Sequence, residues 1–368
     1  MRYLSLFSGI ESASVAWKPL GWECVGVAET LEYQSAILKH HYPQVPNLGD
    51  VTKITEETII SLGKIDVVVF GSPCQDMSVA GKRGGIDTIK EDTNHSSNLF
   101  FEGVRVFRLA QKYCGARYML WENVAGALSS KKGEDFGKVL STLVGCRFDE
   151  GCIKWGTEGI AIGEDSMCEW AVLDAKWFGV PQRRRRVFAL LDTGDWRNRK
   201  SILLEAEHMR KIVSSDEVEK QKDTCGFVGG FGESVSVKTF DRQAIAQWGT
   251  NEVASIVSAR DWKSATDLVA YGIPGNWIGR KPENGGNSVT PMYDCAPSLT
   301  ATDRHAVLSY KPKYSIRRLT PTETERLQGF PDGYTNIVGA TPSKRYNVLG
   351  RSMAVPVMRW IGERIAKC

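Results

Sequence analysis

Long apolar runs are missing from this chain of 368 residues. No stretch approaches the roughly 18 consecutive apolar residues that a membrane span needs, and the opening MRYLSLFSGIES turns polar after one short strand-like run. A membrane protein or a cleaved leader is therefore not expected, and the N-terminus reads as the first strand of the fold. Paired cysteines are missing too. The nine cysteines form no Cys-x-x-Cys pair and no dense cluster, which argues against a zinc ribbon or a disulfide scaffold and fits a reduced cytoplasm. His40 and His41 are adjacent, without carboxylates or thiolates at ligand spacing, so a surface pair is expected and no metal site. A strong charge imbalance is also lacking. With 47 Lys and Arg against 43 Asp and Glu, the net charge is only +4, so nucleic-acid binding has to be argued from where the basic residues sit. Internal repeats and low-complexity tracts are absent.

What the chain does have is an alternation of short β-type runs with helical segments. Tyr3 to Phe7 is followed by a helix from about Ser12, and Glu23 to Ala28 by a helix from about Tyr33. Ile65 to Phe70 and Tyr118 to Trp121 complete the series. That rhythm predicts an α/β fold with a mostly parallel sheet covered by helices, whose ligands sit at the carboxyl ends of the strands. Beyond Leu191 the texture changes to a charged helix and then to Gly-rich, Trp-bearing loops. Their aromatic residues argue against plain disorder. The reading is a catalytic and cofactor-binding domain over 1–192, a second domain over 193–312, and a segment over 313–368 that returns to the first.

Four constellations follow predicted strands. The first is the turn Phe7-Ser8-Gly9-Ile10-Glu11 with Glu29 twenty positions after Gly9, a spacing that suits close backbone approach to a nucleotide-type cofactor and an acidic acceptor for ribose hydroxyls. A lone glycine in a strand-turn-helix is equally compatible with plain structure, and the missing G-x-G-x-x-G speaks against a dinucleotide. Asp50, in LGDV, suits an adenine amino group or, alternatively, a cap on a helix beginning at Thr52. The second is Gly71-Ser72-Pro73-Cys74-Gln75, where a cysteine on a rigid turn before the Gly-punctuated stretch DMSVAGKRGG suits a nucleophile; a buried thiol is the alternative. The third, Glu122-Asn123-Val124, places a candidate proton donor at a strand end, with Asn123 as a candidate helix cap. The fourth is Pro181-Gln182-Arg183-Arg184-Arg185-Arg186, running into VFALL. As a strand it would put Arg184 and Arg186 on one face and Arg183 and Arg185 on the other, and a phosphate-binding patch is the alternative.

In this order, the residues resemble the cytosine-5 DNA methyltransferases over about 1–192 and 315–368. LFSGIES is similar to the family's first cofactor motif, VAE to its ribose-binding Glu, and LGDV to its adenine-contacting segment. GSPCQDMS resembles the Pro-Cys motif, ENV the catalytic Glu motif and QRRRRVF the Gln-x-Arg-x-Arg motif. SSNLFFEGVRV, RRLTPTETERLQGFPDGY and YNVLGRSMAVPV match later motifs. The family usually has more glycine where Glu11 and Ser12 stand, Phe where Ser72 stands, a different residue where Asp76 stands, and Asn where Arg351 stands.

The resemblance implies a Rossmann-like S-adenosylmethionine-dependent methyltransferase domain with a mixed, mostly parallel sheet, plus a smaller irregular target-recognition domain. It implies Cys74, Glu122, Arg184 and Arg186 as catalytic residues. Phe7, Gly9, Ile10, Glu29, Asp50, Val51, Pro73, Leu99 and Ser352 would bind S-adenosylmethionine, with S-adenosylhomocysteine as product and no metal. Gln75, Ser78, Lys82, Arg83, Asn123, Gln182 and Thr300 would contact substrate. The expected partner is double-stranded DNA, bound by a monomer in the cytoplasm of a bacterium or a phage-infected host, with or without a cognate restriction endonuclease. A tRNA cytosine-5 methyltransferase and a catalytically silent DNA-binding relative stand as alternatives. A nicotinamide dehydrogenase is disfavoured by the absent glycine fingerprint.

Overall fold

The computed structural model describes residues 1–72, 99–146, 154–204 and 319–368 in full, and only the backbone of four short strands between 239 and 317. The chain divides into two compact units. The first comprises Met1–Leu173, Arg185–Glu207 and Met358–Cys368, and the second Asp174–Arg184 and His208–Val357.

The first unit is built on a seven-stranded sheet in the order β2-β1-β3-β4-β7-β6-β5. Its strands are β1 (Arg2–Leu6), β2 (Glu23–Ala28), β3 (Val67–Phe70), β4 (Tyr118–Val124), β5 (Glu158–Ile162), β6 (Met167–Asp174) and β7 (Arg185–Asp192). β1 pairs in parallel with β2 and β3, and β3 with β4; β4 with β7 and β5 with β6 are antiparallel. The sheet is therefore mixed, as expected. Val67–Phe70 is buried at every position, which is why this strand reads as a continuous apolar run and not as an alternation.

Helices α1 (Ser12–Trp17), α2 (Glu32–His41), α3 (Glu56–Ser61), α4 (Leu99–Cys114) and α5 (Glu134–Val144) connect or flank these strands. α4 lies so close to β3 that a Cβ on Gly103 would stand 2.6 Å from the Phe70 ring, so only glycine fits there. An aromatic series runs through the core from Phe70 to Phe100 (6.3 Å between centroids), Trp121 (5.2 Å) and Phe136 (6.5 Å). Each such pair adds roughly 0.5–1.5 kcal/mol beyond area burial. Helix α1 is held by Trp17, whose indole N–H donates to the Met358 carbonyl at 2.7 Å.

Beyond β7 the chain is clamped by charge. Arg199, whose side chain is largely buried, pairs with Glu169 and with Asp192 (2.6 Å), and Asp192 also takes Arg117 at 2.8 Å. The Glu169 carboxylate accepts from the amides of Ile202 and Leu203, both at 2.9 Å.

In the second unit, α6 (Pro321–Gln328) starts with a capping box in which Thr320 and Glu323 satisfy each other's backbone amides. Glu325, fully buried, accepts from the amides of Gly333 and Thr335 at 2.7 Å and pairs with Arg345 of α7 (Pro342–Arg351) at 2.9 Å. A last helix, α8, covers Val355–Ile365. Among the described residues, no helix is long and apolar enough to cross a membrane.

Candidate active site

The turn after β1 has an unusual backbone. Phe7, Gly9 and Glu11 all have positive φ, at 50°, 57° and 63°. For Phe and Glu this conformation costs on the order of 1–3 kcal/mol each and persists only where surrounding bonds over-determine it. Those bonds are present. Ser8 donates its amide to the Ala28 carbonyl at 3.1 Å, and its hydroxyl accepts from the Ala28 amide at 3.0 Å. Gly9 donates its amide to Glu29 Oε2 at 2.9 Å, while Glu29 Oε1 accepts from the amides of Thr30 and Leu31 at 2.8 Å. The Gly9–Glu29 spacing thus corresponds to a direct contact. Ile10 is fully buried, and Phe7 lies half-buried beside Phe70.

Sequence reasoning missed Asn47. Its Oδ1 accepts from the Glu29 amide at 3.1 Å and the Gly49 amide at 3.0 Å, and its Nδ2 donates to the Glu29 carbonyl, so it staples the Glu29 turn to the Asp50 segment. The only local signal was an Asn two residues before a Gly, a common turn pattern. Asp50 caps a short 3₁₀ turn over Val51–Lys53, accepting from the Thr52 amide at 3.0 Å, so the capping alternative is realised. Arg105 of α4 donates to the Val51 carbonyl at 2.9 Å and the Ile54 carbonyl at 2.8 Å; Val51 is buried and Leu99 half-buried at the start of α4.

These residues fit an S-adenosylmethionine-type ligand. A Cβ built on Gly9 would meet nothing within 4 Å, leaving room over the turn. The side chains at the end of β2 and before α3 include two carboxylates, Glu29 and Asp50, suited to hydroxyl and amino donors and to a cation, and repelling a pyrophosphate. Among the described residues no cluster of three or more His, Cys, Asp or Glu could hold a metal.

At the other edge of the parallel strands the expectation for Glu122 needs correction. β4 does not stop at Trp121. It continues to Val124, because β7 pairs with it residue by residue out to Val124 opposite Arg186. Glu122 lies inside the strand, and what faces it is a guanidinium: Arg186 Nε approaches Glu122 Oε1 at 3.1 Å with both side chains largely buried. Trp121 points to the opposite face and donates its indole N–H to Ser72 Oγ at 3.0 Å. Asn123 is buried but is not a helix cap. Its Oδ1 accepts from the Val124 amide at 2.8 Å, and its Nδ2 has no hydrogen-bond partner among the described residues.

The arginine run also differs from the expectation. β7 begins at Arg185, so Gln182, Arg183 and Arg184 precede the strand and the face argument applies to Arg185 and Arg186 only. Burial still alternates, with Arg184 3% and Arg186 8% exposed while Arg185 is open to solvent. In the second unit, Asp174 Oδ1 accepts from the Arg184 amide at 2.9 Å, and the Ala175 amide donates to the Arg184 carbonyl at 3.1 Å. The Arg184 guanidinium donates to the Gly350 carbonyl at 3.2 Å. Gln182 is fully buried, donates to the Leu327 carbonyl at 3.4 Å, and leaves its Oε1 without a hydrogen-bond partner among the described residues. Ser352 terminates α7, donating its amide to the Leu349 carbonyl at 3.2 Å. Pro73, Cys74, Gln75, Ser78, Lys82, Arg83 and Thr300 lie outside the described residues.

Comparison with known proteins gives this geometry a family. The DNA N-6-adenine-methyltransferase of Escherichia phage P1 is 32% identical over 99% of this chain, which spans only 61% of that relative's length. The type II methyltransferase M.HpaII of Haemophilus parainfluenzae is 26% identical, covering 99% of this chain and 88% of its own. The crystal structure of S. pombe Dnmt2 methyltransferase superposes with a TM-score of 0.59 at 15% identity, covering 100% of this chain and 99% of that one, a likeness that bears on the fold alone. The profile of C-5 cytosine-specific DNA methylases matches residues 1–367. The chain belongs to the C-5 cytosine-specific DNA methylase family.

Proposed function

We propose that this protein methylates carbon 5 of a cytosine extruded from double-stranded DNA, through a covalent adduct on Cys74. The observation that carries the reading is the largely buried Glu122–Arg186 pair on β4 and β7, with β4 next to β3, the strand that precedes Cys74 in the chain. Carbon 5 of cytosine is a poor nucleophile. Attack of a Cys74 thiolate on carbon 6 makes the ring enamine-like, and Glu122 at ring N3 draws off the charge that develops. Arg186 holds the Glu122 carboxylate in place, and Arg184 serves the 2-oxo group of the base. S-adenosylmethionine, when bound by the Phe7–Glu11 turn, Glu29, Asp50, Val51, Leu99 and Ser352, supplies the methyl group. Loss of the carbon 5 proton then releases Cys74.

A stacked cytosine is out of reach, so the base has to leave the duplex. In this reading Gln75, Ser78, Lys82 and Arg83 close on the extruded nucleotide, with Asn123, Gln182 and Thr300 alongside, and residues 193–312 select the DNA site. The buried Asn123 Nδ2 and Gln182 Oε1, left without hydrogen-bond partners among the described residues, support that assignment as a donor and an acceptor held for a ligand.

The phage P1 relative's name raises N6 of adenine as a rival target. An exocyclic amine attacks a methyl donor directly and needs no thiolate. The deciding experiment incubates the protein and its Cys74→Ser variant with cofactor and duplex DNA carrying 5-fluorocytosine, and analyses the nucleosides of DNA from expressing cells. A covalent adduct with wild type alone, together with 5-methylcytosine, is the expected result. N6-methyladenine made equally by both proteins would overturn the reading.

A further inference from the structure

The Glu11 side chain has no role in the chemistry above, yet it is a deeply buried carboxyl group. It stands in the cofactor turn two residues from Gly9, with a left-handed backbone, and is only 1% exposed. Its Oε1 accepts from the Ser14 amide at 3.1 Å and the Ser14 hydroxyl at 3.2 Å, and Ser14 Oγ in turn bonds Tyr3 Oη at 2.6 Å. Its Oε2 is buried with no hydrogen-bond partner among the described residues. Among the described residues, the groups that face it are Tyr3 and Ser5 from β1, Cys24 from β2 and Ser14 from α1, and none of these is a cation. Burial therefore pushes the Glu11 carboxyl up to about 7.

Resting on the cofactor reading given above, we infer that Glu11 is a positioning residue whose charge is supplied on demand: protonated in slightly acidic solution while the turn is empty, it passes its proton to solvent when a sulfonium cation binds over the turn. The carboxylate left behind neutralises the cofactor through the backbone that separates them, and the cation removes the cost of a buried unpaired anion. By linkage, cofactor uptake and proton release drive each other equally. A neutral Gln, able to accept from Ser14 but unable to ionise, keeps the shape of the turn and loses the coupling.

The test is isothermal titration calorimetry of the full-length protein at pH 6.5, in two buffers of different ionisation enthalpy, with S-adenosylmethionine and with S-adenosylhomocysteine, whose thioether is uncharged. Wild type is expected to release about half a proton more per S-adenosylmethionine bound than Glu11→Gln. Its affinity should rise about fivefold from pH 6 to pH 8 while that of the variant stays level, this window capturing half of the tenfold change that accompanies one unit of proton affinity. S-adenosylhomocysteine should release less from wild type than S-adenosylmethionine does. That comparison stands even if the variant fails to fold. Equal proton counts for both ligands, or for both proteins, would sink the inference while leaving the cofactor reading intact. Failure of wild type to bind S-adenosylmethionine at all would overturn both.

Discussion

Trp121 donates its indole N–H to Ser72 Oγ at 3.0 Å, and both residues are buried. The bond ties the end of the segment that leaves β3 to the strand that carries Glu122, through a hydroxyl where the family usually has a phenyl ring. In Ser72→Ala the indole N–H is left buried and unmade, at a cost of about 1–3 kcal/mol. That corresponds to a fall in melting temperature of several degrees for a protein of this size. Adduct formation with 5-fluorocytosine DNA should slow at least as much as stability falls, and Ser72→Thr should restore both. An unchanged trapping rate in the Ala variant would show that the bond does not set the geometry.

Arg186 sits opposite Val124 across the antiparallel β4–β7 pair and reaches diagonally to Glu122 on the same face. Removing one charge of a largely buried pair strands the other. Glu122→Gln is expected to lower methyl transfer by about 10²–10⁴-fold, the usual contribution of a positioned acid. Arg186→Lys, which keeps the charge but loses the guanidinium geometry, should also be impaired. The double variant should lose much less than the two single losses combined. Additive losses measured in single-turnover assays would mean that the two residues act separately.

Glu11 gives the empty protein a pH dependence of defined sign. Its folded-state value of about 7 lies above the ordinary 4.5, so the folded state holds this proton more tightly than the unfolded chain. The corresponding stability is fully present below about pH 4.5 and is lost as pH rises through about 7. Asp192 works in the opposite sense. Burial raises it, but hydrogen bonds from Arg117 and Arg199 more than offset that and hold it below the ordinary carboxylate range, so its contribution disappears in acid. Thermal melts from pH 5 to 8 should show wild type losing stability toward alkaline pH relative to Glu11→Gln; parallel curves would contradict the assignment.

Asp174 is 2% exposed and binds the Arg184 amide, and burial raises its carboxyl above the usual range. A neutral acceptor should therefore do as well. Asp174→Asn is expected to keep kcat within about twofold, since it retains the Oδ1 acceptor, whereas Asp174→Ala leaves the Arg184 N–H without its acceptor at a cost of about 1–3 kcal/mol. Most of the Ala variant's deficit should fall on kcat, with S-adenosylmethionine affinity unchanged. A matching loss of cofactor affinity would place the effect in the fold as a whole.

Much of the first unit was legible in the sequence because its signals are local. Glu23 to Ala28 forms the predicted strand, Ser12 begins a helix as expected, and the Gly9–Glu29 spacing became a hydrogen bond. The misreadings share one cause. In the sequence reading this strand ends at Trp121, yet the antiparallel partner β7 supplies ladder bonds that carry β4 three residues further. A partner almost seventy residues away leaves no mark on local composition. Asn47 was missed for the same reason, since its four hydrogen bonds join segments whose proximity exists only in the folded chain.

By itself, then, the amino-acid order determined the α/β class, the family motifs and the residue types able to do the chemistry, because these depend on periodicity and on functional groups that each residue carries wherever it lies. Tertiary structure alone decided which charge meets which. It brought Arg186 to Glu122, gave the Arg184 guanidinium a backbone carbonyl as partner, and enclosed Glu11 among hydroxyls and a thiol. The strength of a charge depends on what surrounds it in three dimensions, and that environment is assembled from strands far apart in the chain.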